Sequence, residues 1–159
     1  MERLSFRWGY VVVPLAVLLL SIILSAYFYH LLPAAVAYHF EVDGTPDRWL
    51  GREVTLVLAL VPQLLLTLLA CGVTWGAAVL SNRFGQGGGK IRPESVVLFM
   101  GNLIAVPQLI IGFAMVDIFS YNSYQTHIMP MWIFLLAILG LITIGLGILG
   151  VLVFLKLRE

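Results

Sequence analysis

The chain has 159 residues and a formal charge of +1; 61% of its residues are hydrophobic and 11% are charged, against about 25% charged in an ordinary soluble domain. A water-soluble fold of this length cannot hide so much apolar surface, and the balanced charge points away from nucleic acid and from strongly charged substrates. The single cysteine, Cys71, lies inside an apolar block, so no intrachain disulfide is available.

The fold class expected is all-α: a polytopic membrane protein, one membrane domain over 1–159, built as a four-transmembrane-helix bundle with an ordered outward loop between helices 1 and 2. The first apolar block covers about 8–32, behind Arg3 and Arg7. It is longer than the 7–15 residues of a signal-peptide core and has no clean small-residue cleavage site after it, so it reads as a retained helix. The loop at 33–52 holds much of the polarity of the chain. Asp43-Gly44 is a turn signal, because glycine accepts a positive φ. Thr45-Pro46-Asp47 has the form of a helix start, with a hydroxyl N-cap, proline at the first position and an acid in the first turn. His39 to Asp43 alternates polar and apolar residues and predicts a short extended segment.

The second block, about 54–80, carries Gln63, Thr67, Ala70, Thr74 and Ser81 on one helical stripe. A glycine-rich loop follows at 81–95. Its Gly85-Gln86-Gly87-Gly88-Gly89-Lys90 is not a phosphate-binding loop: Gly85 is one position off the required spacing, and Ile91 replaces the hydroxyl that would hold magnesium. The third block, about 96–121, has Gly101, Ala105, Gln108 and Gly112 in register, and the fourth, about 131–155, has Gly140, Thr143, Gly147 and Gly150. Such stripes let helix backbones approach in lipid, where apolar contact alone gives little preference. Continuous apolar runs of about 20 residues indicate helices; barrel strands would alternate.

Trp8, Trp49, Trp75 and Trp132 each lie near the end of a block, as in an interfacial aromatic belt. Seven of the nine Lys and Arg residues fall in the N-terminus, the second loop and the C-terminus; only Arg48 and Arg52 fall in the first loop. By the positive-inside rule both termini are then cytoplasmic, in a multi-pass protein of the plasma membrane.

The spans share Val61-Pro62-Gln63-Leu64 and Val106-Pro107-Gln108-Leu109. Each proline removes a backbone donor and each glutamine can hydrogen-bond at mid-membrane. Their helices run in opposite directions, as an inverted repeat around a polar centre would, but interhelical bonding is the favoured reading of the pair. Asp117 is the one acid well inside a span. On an ideal helix it shares a face with Tyr121 and Tyr124 and lies opposite Gln108, which breaks any continuous polar pathway.

Leu-Pro, His-Phe and Gly-x-Pro-Asp-x-Trp, at Pro33, His39, Gly44, Pro46, Asp47 and Trp49, resemble the signature of the bacterial and archaeal domain-of-unknown-function 1648 family. That domain also forms the N-terminal part of Sdp-type immunity proteins. The likeness covers about 32–80. It departs at Leu50-Gly51-Arg52, where a small residue and a lysine are expected, and the immunity proteins carry a further membrane region. The resemblance implies a membrane-embedded architecture and an immunity-type or sensing role.

No nucleophile-and-base arrangement is present, so no enzyme is expected. His30, His39 and His127, with Glu41, Asp43 and Asp47, offer nitrogen and oxygen ligands, but no pair has a metal-ligand spacing; no metal, haem or other cofactor is expected. The leading expectation is a multi-pass protein that senses, or confers immunity to, an exported peptide or other outward ligand. The motif His39, Gly44, Pro46, Asp47 and Trp49 is its ligand-binding or structural site. The alternatives are an accessory subunit of a larger membrane complex and a small transporter using Gln63, Gln108 and Asp117. Partners are the lipid bilayer and an exported peptide or a membrane-protein partner, with no nucleic acid.

Overall fold

The computed structural model describes residues 5–41, 44–84, 93–130, 132–140 and 143. A 3-10 turn, Trp8–Val11, leads into α1, Val12–Tyr29. Strands β1, Ala35–Phe40, and β2, Pro46–Gly51, form an antiparallel hairpin. Three helices follow: α2, Arg52–Phe84; α3, Pro93–Leu103; and α4, Ala105–Tyr124. Three stretches, Trp8–Tyr29, Arg52–Leu80 and Glu94–Tyr124, are helical, long and apolar enough to cross a membrane.

The chain divides into two units, 1–126 and 127–159. In the second, residues 132–140 are helical, and the N–H of Ile133 donates to the Pro130 carbonyl at 3.0 Å. The rest of the expected fourth span, with Gly147 and Gly150, and the glycine-rich run at 85–90 lie outside the described residues.

The described residues are mostly helical, with one hairpin in the ordered loop between the first two spans. One expectation is corrected: Thr45-Pro46-Asp47 does not begin a helix but leads into β2. The capping pattern is a local preference worth about 1 kcal/mol, whereas pairing with β1 engages a whole strand. Pro46 is tolerated because it is the first residue of β2, where its missing N–H costs no ladder bond. Gly44 adopts φ +85° at the turn, and its N–H donates to the Glu41 carbonyl at 2.9 Å. The third span breaks close to Pro107, where a proline favours a kink. Pro107 offers no N–H to the carbonyl four residues before it, that of Leu103, and α3 ends there. Ile104 forms the joint and α4 begins at Ala105.

Within the first unit, α1 packs against α2 and α4, while α3 packs against α2 and the 3-10 turn. At the hairpin end, Phe28, Leu32, Val36, Ala59, Met115 and Phe119 form an apolar core, with the Phe28 and Phe119 rings 5.7 Å apart. The middle of the bundle is polar. Gln63 and Gln108 are both completely buried, and each side chain donates to the backbone carbonyl of the other, at 2.9 and 3.1 Å. Gln108 Nε2 also donates to Thr67 Oγ1 at 2.9 Å, and the Thr67 hydroxyl donates to the Gln63 carbonyl at 2.9 Å. At the opposite end, Gly101 lies against Tyr10 and Thr74, and a Cβ there would collide with the Tyr10 carbonyl oxygen.

Candidate functional site: the hairpin between the first two spans

The site starts from α1, whose two ends are satisfied by side chains from other elements. The N–H of Val13, an orphan of the first helical turn, donates to Asn102 Oδ1 of α3 at 3.0 Å. At the far end the Arg52 guanidinium donates to the carbonyls of Tyr29 and Leu32, at 3.4 and 3.5 Å, and stacks 4.5 Å from the Tyr29 ring centroid. A cation at a helix C-terminus meets the negative end of the helix dipole, and a planar guanidinium can stack and donate together. Because Arg52 is the first residue of α2, one side chain ties together the end of α1, the hairpin exit and the start of α2. The N–H of Arg52 extends that tie by donating to the Ala34 carbonyl at 3.1 Å.

The other anchor is Asn122. The N–H of Ala37 donates to Asn122 Oδ1 at 2.8 Å, and Asn122 Nδ2 donates to the Ala37 carbonyl at 2.8 Å. The same Nδ2 donates to the Ile118 carbonyl at 2.8 Å. Two carbonyls on one side of the amide and an N–H on the other settle its orientation. Ala37 turns its backbone groups away from β2, so Asn122 satisfies the free edge of β1 as a third strand would. Phe40 adds an edge-to-face contact with Tyr121, centroids 4.7 Å apart. Val36 and Ala37 are buried beneath. The hairpin is therefore docked onto the ends of α1, α2 and α4.

On this base His39 and Asp47 meet: His39 Nδ1 lies 2.6 Å from Asp47 Oδ1. The pairing of Ala35 with Gly51 and of Phe40 with Pro46 sets His39 opposite Asp47, while irregularities on both strands pair the His39 backbone with Arg48 instead. A carboxylate can only accept, so Nδ1–H is the donor and a neutral ring presents Nε2 as an acceptor. His39 is largely exposed and Asp47 about one-third exposed. What the pair offers is an oriented imidazole on an accessible face, able to accept a hydrogen bond or a proton from a ligand. Trp49, 53% exposed, stands on the same hairpin.

The other predicted positions separate. Gln63 and Gln108 come together, but inside the bundle and engaged with backbone. Asp117 is half-buried on α4. His30 lies beside Tyr29, rings 5.3 Å apart, and Asp43 lies outside the described residues. Among the described residues no group of three His, Cys, Asp or Glu side chains is placed to hold a metal ion. Sequence reasoning missed Asn122 and Asn102 altogether, and it used Arg52 only in the charge count and as a departure from a pattern. A polar residue near the end of an apolar span was the available signal.

Residues 16–62 match the family model described as Domain of unknown function (DUF1648). The matched stretch runs from within α1, through the whole hairpin, to Pro62 of α2, and so holds His39, Asp47, Trp49 and Arg52. No curated protein and no solved structure matches the chain.

Proposed function

We propose, for a chain whose residues 16–62 belong to the DUF1648 family, that the hairpin recognises an exported peptide or another ligand outside the cell, in sensing or immunity. In this reading the protein is not an enzyme; it crosses the plasma membrane four times with both termini in the cytoplasm. The observation that carries it is the His39–Asp47 pair, displayed on a hairpin held at three points. Pre-organisation of this kind lowers the ordering cost that a ligand must otherwise meet. Gln63 and Gln108, by contrast, spend their donors on the bundle itself, which weighs against a transport pathway through them.

Response to the producing cells, or to their secreted fraction, is the direct test. His39→Ala and Asp47→Ala should abolish it while leaving membrane insertion unchanged; an undiminished response removes the proposal. The topology has its own test. In a Cys71→Ser background, a cysteine placed by Thr45→Cys should react with a membrane-impermeant maleimide added to intact cells. Labelling only after lysis overturns the orientation.

A second reading, as a subunit docked in a larger membrane complex, is favoured by one feature of α2. Gly72 and Gly76 stand one turn apart with nothing among the described residues within 4 Å of a Cβ at either, a spacing that lets another helix approach closely. A stoichiometric partner retained through mild detergent extraction, and lost in Gly72→Leu, would favour this reading over the first.

A further inference from the structure

Beneath the hairpin, between α2 and α4, lies a cleft of about 170 Å³. Tyr38 and Leu50 roof it, and Leu58, Ala114, Met115 and Phe119 are among the residues that line its walls. A cavity of about 150 Å³ accommodates a benzene-sized apolar group, so this space suits a short length of hydrocarbon rather than a whole polar molecule. Its walls belong to two helices long enough to span a membrane, which makes the hydrocarbon layer its natural source of occupants. Leu50 faces the cleft; Arg48, two residues earlier on β2, projects from the same strand face roughly 6.6 Å along the strand and is exposed. Trp49, pointing to the other face, is the residue type that settles at headgroup level.

An apolar slot between two span-length helices, with a cation on the strand that roofs it, matches the two ends of one kind of molecule. We propose that the cleft holds an acyl chain of an anionic phospholipid whose phosphate pairs with Arg48. The proposal is independent of ligand recognition by His39 and Asp47: a failed response in His39→Ala leaves lipid retention unchanged.

The test is native mass spectrometry of the full chain in detergent, mixed with equal amounts of phosphatidylglycerol and phosphatidylcholine of the same acyl composition. The wild type should retain phosphatidylglycerol about fivefold over phosphatidylcholine, the worth of one arginine near an anionic surface. Arg48→Gln should erase that preference and keep the residual binding of both lipids. Ala114→Phe, which narrows the cleft, should lower retention of both; Leu58→Trp at the exposed rim should do the same if Ala114→Phe fails to fold. Equal retention of the two lipids by the wild type, a preference that survives Arg48→Gln, wild-type retention in a folded cleft variant, or a peptide in place of lipid on the purified protein would each overturn the proposal.

Discussion

Asn122 grips Ala37 by both backbone groups, accepting from its N–H and donating to its carbonyl, each at 2.8 Å. The two residues are 85 positions apart, and through them the last turns of α4 determine where the hairpin rests. Asn122→Leu should release that edge. Leaving two backbone groups of Ala37 without partners costs on the order of 2 kcal/mol, and the Ala37 amide should exchange with deuterium at least tenfold faster. Asn122→Asp should be as damaging, because a second acceptor would then face the Ala37 carbonyl. Unchanged exchange in both variants means the hairpin is held by its apolar contacts alone.

Arg52 separates charge from shape. Arg52→Lys keeps a cation near the end of α1 but loses the stacked, forked donor; Arg52→Met loses both. A thermal melt in detergent should rank wild type above Lys and Lys above Met, with about 1 kcal/mol for the first step. If Lys equals the wild type, the guanidinium geometry is irrelevant and only charge matters.

The two glutamines bond reciprocally across α2 and α4, each side chain donating to the backbone carbonyl of the other. Gln63→Leu and Gln108→Leu should each destabilise the bundle by about 0.6–2 kcal/mol. Each change strands a backbone carbonyl that is still there in the double variant, so its cost should lie near the sum of the two. A double variant that costs clearly less than the sum refutes this account.

Glycines on the two faces of the bundle should respond oppositely. Gly101→Ala drives a methyl group into the Tyr10 carbonyl and the Thr74 side chain, and the rigid backbone there cannot give. A loss of about 2 kcal/mol or more is expected, seen as a lower melting temperature. Gly72→Ala meets nothing within 4 Å among the described residues and should stabilise slightly, through helix propensity, by about 1 kcal/mol at most. Equal effects at the two sites would place Gly101 in open space, against its close approach to Tyr10.

The apolar blocks alone determined the helical, span-length elements, because insertion into hydrocarbon is a sum of local transfer free energies that needs no knowledge of partners. They also placed the glutamines and small residues on shared stripes, since helical periodicity is local too. The family likeness around Gly44, Pro46, Asp47 and Trp49 was legible for the same reason: it is a string of neighbours. Only the tertiary structure decided that residues 46–51 pair as a strand, although their capping pattern favours a helix, because the competing bonds come from β1 across the turn. It alone brought His39 to Asp47, set Arg52 on the end of α1 and carried Asn122 to Ala37. These are contacts between elements, and their free energy exists only once the helices have packed and brought distant polar groups into reach.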